Sequence, residues 1–334
     1  MGKLIENEVM KIMYKKRLQV IAGILLVLIG LFAYGENYTI NRTQERVAQR
    51  MGVESAENWQ NLIQQQLIDL NRRMNNPYIS EEGKASLQVR AEQLQFYLDN
   101  DVNPLNSSVA RFMGRFMEQS VFLFLPLLII LLAGDMVSGE VNTGTIKLIL
   151  TRPVTRWKIL FSKFMALVIL EMMVILLIAL ISATVSLVVF RYGGFGEPVI
   201  TGFQVSGNQL DTSLVRTIPQ WQYLLMVYAI GYFVAFVIGC LSLMVSVLVR
   251  STSVSIGVMM SSLIGGSFLS FFLEDWVITR YLYTVNLNLT AYITGSFQIV
   301  EGLTMAFSTM VLLGWALGSL AIGFAVFTQK DMLA

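Results

Sequence analysis

Apolar residues along this chain gather into long blocks separated by polar stretches, and the blocks have the length of membrane-crossing helices. Leu18–Tyr34 is an uncharged run of 17 residues. With its flanks it matches a hydrocarbon core about 30 Å thick at about 1.5 Å of rise per residue. Further blocks run from about Phe116 to Gly134, from beyond Lys163 to Phe190, from Leu224 to Val249, from Val254 to Leu273 and from Leu303 to Phe327. The pattern predicts an all-α membrane protein with six transmembrane helices, the last five within residues 116–327.

The stretches between the blocks have their own periodicities. In residues 1–17, Leu4, Ile5, Val9, Ile12 and Met13 recur at helical spacing among charges, which predicts an amphipathic N-terminal helix leading into the first span, 18–34. Residues 36–110 are polar and hold two apolar stripes. One is Trp59, Leu62, Ile63, Leu67, Leu70 and Met74; the other is Leu87, Ala91, Leu94 and Leu98. Asn75-Asn76-Pro77 is a turn signal between them, and Ser80 before Glu81 and Glu82 is a helix start. An antiparallel helical hairpin between the first two spans follows. The Gly-rich loop 191–219 has Val-Ile-Thr and Phe-Gln-Val pieces suited to a small β-hairpin. Residues 274–301, with several tyrosines, Asn286, Asn288 and Thr290, fit either a re-entrant helical pair or an interfacial loop.

Charge sets the expected orientation. Lys15, Lys16 and Arg17 precede the first span, and Lys147, Arg152, Arg156, Lys158 and Lys163 surround the loop after the second. Loop 191–219 has only Arg191 and Arg216. The positive-inside rule then places both termini, including the tail 328–334, in the cytoplasm and the hairpin outside the cell membrane.

Composition agrees with a membrane protein: 55% of residues are hydrophobic and 14% charged, against about 25% charged in soluble domains, and the mean hydropathy is +0.62. A net charge of +2 without a basic, aromatic-interleaved cluster gives no reason to expect nucleic acid. There is no histidine, which removes His-based triads and His metal sites. Gly139 and Gly144 have the glycine spacing of a phosphate-binding loop, but Thr145-Ile146 stand where Lys-Ser/Thr is needed. Catalysis and bound cofactors are not expected on this chain.

The loop 135–158, DMVSGEVNTGTIKLILTRPVTRWK, carries the candidate chemistry. Ile146, Leu148, Ile149 and Leu150 form a short apolar face, and Pro153 should stop a helix at or before Arg152. Gly139-Glu140, Gly144-Thr145 and Leu150-Thr151-Arg152-Pro153-Val154, in that order, resemble the first cytoplasmic loop of ABC-2 type exporter permeases. That resemblance implies a coupling helix, here Thr145–Leu150, docked into a separate ATP-hydrolysing subunit. It also implies a second permease copy or a related permease, with ATP and magnesium bound by the partner. The residues carried over are Glu140, Thr143, Gly144, Thr145, Lys147, Arg152 and Arg156. Glu140 would accept charge-assisted hydrogen bonds from a partner arginine or from the N-terminus of the following helix. The alternatives are a stand-alone secondary transporter or channel, or a membrane sensor whose hairpin binds an external ligand. Few intramembrane charges and no paired broken helices weigh against the transporter.

Glu171 is the one acid well inside a predicted span. A carboxylate at mid-bilayer costs roughly 2.5–3.5 kcal/mol on insertion scales. It is expected either to face a translocation path or subunit interface, or to pair with Lys163 or a neighbouring helix.

Overall fold

A computed structural model of the chain describes residues 1–51, 59–146, 154–206, 209–272, 276–295 and 303–329. Among them the protein is mostly helical. Five helices are long and apolar enough to cross a membrane, or six if the bent pair Val109–Phe122 and Phe124–Ala133 is one span.

Helix α1 (Gly2–Tyr14) is joined to α2 (Arg17–Met51) through Lys16, whose φ of 55° turns the chain between them. The apolar run ends at Tyr34 but the helix does not. No proline interrupts residues 35–51, which are rich in Glu, Arg and Gln, and the helical hydrogen bonds simply continue into polar sequence. The expected boundary at 34–36 is therefore a change of surroundings rather than of backbone.

Helices α3 (Trp59–Met74) and α4 (Glu81–Asp99) form the hairpin. Ile63, Leu70 and Leu94 are buried between them, flanked by Trp59, Leu67, Leu87, Ala91 and Leu98. Ser80 caps α4, its hydroxyl accepting from the Gly83 N–H at 3.2 Å.

Helices α5 (Val109–Phe122) and α6 (Phe124–Ala133) meet at 62°. Pro126 lies in the first turn of α6 and donates no N–H back across the joint, which accounts for the break. Helix α7 (Ser138–Asn142) follows, then the 35-residue α8 (Arg156–Phe190). Because α8 starts beyond Pro153, it begins well before Lys163.

Four short strands come next, which makes the fold not purely helical. Strand β1 (Pro198–Thr201) pairs antiparallel with β4 (Arg216–Pro219), and β2 (Gln204–Ser206) with β3 (Gln209–Asp211). The Val-Ile-Thr and Phe-Gln-Val pieces thus pair with other strands and not with each other. Gly202, at φ +90°, redirects the chain between them and sends Phe203 into a small core with Val102 and Ile200.

Helix α9 (Gln220–Leu248) is central, packing on α5, α6 and α8 and on the later helices α10 (Thr252–Phe272) and α13 (Met305–Gln329). Between α10 and α13 lie a 3-10 turn (Val277–Tyr281), α11 (Tyr283–Asn286) and α12 (Ala291–Thr294). This segment is folded back onto the helices. Tyr283 Oη donates to Ser262 Oγ at 2.9 Å, and Trp315 Nε1 donates to the Tyr281 carbonyl at 2.8 Å.

The hairpin is anchored at its own end of the bundle. Arg111 Nη1 donates to the Asn103 carbonyl at 2.8 Å, Arg115 pairs with Glu36 at 2.8 Å, and Gln93 Nε2 donates to the Gly295 carbonyl at 2.7 Å.

Candidate functional site

At the end of the bundle that carries α1, the chain between α6 and α8 is held from two sides. Gly134 closes α6, its N–H donating to the Ile130 carbonyl at 2.9 Å. From α9, Ser246 Oγ accepts the N–H groups of Val137 and Ser138 at 3.1 and 3.0 Å. These are donors that the start of α7 leaves without helical partners. The inner side of the loop is therefore pinned to the central helix.

The other side is ionic. Glu140, on α7, is 3% exposed and accepts hydrogen bonds from Lys11 of α1 and from Lys163 of α8, the latter at 2.6 Å. Lys163, 0% exposed, also donates to Glu8 of α1 at 2.8 Å. Five residues before Glu140, Asp135 is buried and forms an ion pair with Arg17, with Lys15 at 3.5 Å. A Cβ on Gly139 would come 3.0 Å from Asp135 Oδ2, so the glycine leaves room for that carboxylate. Acids and bases alternate across α1, α7 and α8. Burial of lysine and glutamate is rare without such pairing.

Beyond this cluster the loop emerges into solvent. Asn142, Thr143, Gly144 and Thr145 are exposed, while Ile146 returns to the core at 1% exposure. Gly144 has φ +72° and open space around the Cβ position, so its conformation and not crowding calls for glycine. Thr143 Oγ1 donates to the Gly139 carbonyl at 2.8 Å and lies 3.0 Å from Thr145 Oγ1. The result is a short polar ridge on a fixed base, followed by the first turn of α8 with Arg156, Trp157 and Lys158. Arg156 Nη1 reaches the Thr328 carbonyl at 3.5 Å, on the last turn of α13.

Comparison with known proteins assigns this architecture. The chain matches the family described as ABC-2 family transporter protein over residues 3–332. It belongs to the ABC-2 transporter family. Two Bacillus subtilis (strain 168) proteins resemble it. One, named as the uncharacterized protein YhcI, is 23% identical over 99% of both chains. The other, named as the uncharacterized membrane protein YdbK, is 27% identical over 64% of this chain and 80% of its own length. The protein is thus a membrane transport component of the ABC-2 class.

Within this ABC-2 protein the sequence-derived residues separate into three groups. Thr143, Gly144 and Thr145 share the exposed ridge, and Arg156 lies at the start of α8. Lys147 and Arg152, with most of the expected helix Thr145–Leu150, fall outside the described residues. Glu140 faces inward. Its Oε1 accepts from Lys11 and Lys163 of its own chain, while its buried Oε2 has no hydrogen-bond partner among the described residues.

Glu171 stands apart from all of these. It is 1% exposed, and neither carboxylate oxygen has a hydrogen-bond partner among the described residues. Its expected partner Lys163 is committed to Glu8 and Glu140. The carboxyl faces α9 inside the chain, against Gly239.

Sequence reasoning passed over Glu8, Lys11, Lys163, Asp135 and Ser246 as site residues. Lys163 reads in the sequence as an orienting charge or a partner for Glu171, whereas in the structure it pairs with Glu140 and Glu8, and Asp135 pairs with Arg17. Among the described residues no group of three or more His, Cys, Asp or Glu is placed to hold a metal ion.

Proposed function

We propose that this chain is the permease subunit of an ABC-2 type exporter, inserted in the cell membrane with both termini and the Thr143–Thr145 ridge on the cytoplasmic side. A separate ABC ATPase docks at the ridge, binds ATP and magnesium, and supplies the hydrolysis. This chain carries no cofactor and converts the partner's closure into movement of its helices. Two copies, or one copy with a related permease, enclose the path for export.

The observation that carries this reading is the ridge itself. It is polar and exposed, and it stands on a base tied by Ser246, Lys163 and Lys11 to three other helices. A surface that transmits force needs such a base, since a loop free to bend would absorb the displacement. The orientation is supported by Lys11, Lys15, Lys16, Arg17, Arg156, Lys158 and Lys163, all at the ridge end of the bundle. Family membership supports an ATPase partner.

The test is recovery of an ABC ATPase with the chain purified from its native membrane in mild detergent. A stoichiometric ATPase lost on changing Thr143 and Thr145 together to bulky lysines is the expected result. A chain that purifies alone and carries solute in vesicles without ATP would instead mark a stand-alone transporter.

A further inference from the structure

We infer that Lys163 is the positioning residue that makes α1, α7 and α8 shift as one body. The inference rests on the coupling reading above and adds a component to it.

The ridge residues lie within five positions of Glu140 in sequence, and Thr145 Oγ1 contacts the Glu140 carbonyl at 3.4 Å. A displacement of the ridge is therefore felt first at Glu140. By itself the loop is a poor lever, since it contains Gly134, Gly139 and Gly144 and a helix of only five residues. Lys163 supplies the stiffness. Its ammonium is fully buried and joined to Glu140 at 2.6 Å and to Glu8 at 2.8 Å, so neither contact breaks without leaving a charge unpaired away from water.

Through Lys163 the displacement enters α8, whose 35 residues run unbroken from Arg156 to Phe190. Through Lys11 and Glu8 it enters α1. That helix connects to α2 across two residues, and Arg17 at the head of α2 is itself clamped by Asp135. Two candidate spans, α2 and α8, thus receive the movement of one loop by way of a single buried lysine and an N-terminal helix that also packs along α8.

The test uses the purified permease–ATPase complex in lipid nanodiscs, with Cys240→Ala and spin labels at exposed Met10 on α1 and exposed Val258 on α10. Distances are compared without nucleotide and after trapping with ATP and vanadate, beside the rate of ATP hydrolysis. Wild-type protein should show a distance change on trapping. Lys163→Met should retain the ATPase but lose that change, with hydrolysis lower by roughly tenfold, inside the span of known coupling energies. Lys163→Arg should restore both. The combination Glu8→Gln, Glu140→Gln and Lys163→Met leaves no buried charge orphaned, so it reports on coupling even where the single variant folds poorly, and it should behave as the uncoupled form. Wild-type distance changes and hydrolysis in Lys163→Met and in the triple variant would overturn the inference. So would a loss of folded protein with hydrolysis per complex unchanged. A wild-type chain that retains no ATPase would instead overturn the coupling reading, whatever the variants do.

Discussion

Glu171 of α8 and Gly239 of α9 fit together so closely that a Cβ added to the glycine would overlap Glu171 Oε1. The carboxyl occupies the space a side chain at 239 would need. Gly239→Ala should therefore force the two helices or the carboxyl apart, at a cost of about 1–3 kcal/mol typical of overpacking. Thermal unfolding in detergent measures this. Adding Glu171→Ala should recover part of the loss, and a strictly additive double variant would show that the two residues do not share the space.

The same carboxyl makes no hydrogen bond among the described residues, in contrast to Glu140, whose Oε1 accepts from Lys11 and Lys163. Replacing an unsatisfied buried polar group with an apolar one of similar shape removes a burden of about 1–3 kcal/mol. Glu171→Met should leave the folded protein as stable as wild type or more so, whereas Glu140→Met should destabilise it by orphaning Lys163. A fall in melting temperature for both variants alike would mean that Glu171 has a partner beyond those described.

Ser246→Ala removes the acceptor for the Val137 and Ser138 N–H groups, both in buried surroundings. Each orphaned donor costs about 1–3 kcal/mol, and the effect should be local. Hydrogen exchange of residues 135–146 should quicken while the inner stretch of α9 stays protected. Uniform exchange across the chain would point to global destabilisation instead.

Gly144 is a conformational requirement without a steric one. Gly144→Asn, which tolerates left-handed backbone, should keep ATPase recovery near wild type, and the β-branched Gly144→Val should lower it by distorting the ridge. Equal recovery for both would show that the turn is not part of the docking surface.

Gly295, at φ +67°, lies where the hairpin, the strands and the fold-back segment meet. A Cβ there would overlap the Phe203 Cβ and lie 2.9 Å from Gln93 Nε2. Gly295→Val should detach α4 from that junction, seen as faster proteolysis at Arg90 with the helix bundle intact. An unchanged digestion pattern would mean that the other anchors, among them the Arg111–Asn103 hydrogen bond and the packing of Phe96 and Tyr97 on Phe203, hold the hairpin without this junction.

Much of this protein is written in the order of its residues. Long apolar blocks specify candidate membrane helices, because a helix satisfies its own backbone and only the lipid-facing surface needs matching. The stripes from Trp59 to Met74 and from Leu87 to Leu98 likewise specify the hairpin, since each has one apolar face to hide. Local propensity and periodicity reach that far and no further. That Glu140 turns inward, that Lys163 belongs to Glu8 and Glu140 and leaves Glu171 alone, and that β1 passes over β2 to pair with β4 are decided by contacts between residues far apart in sequence. A charged side chain in a loop reads the same whether a solvent molecule or a lysine from the N-terminal helix lies opposite. Only the packing of α1 beneath the loop determines which it is.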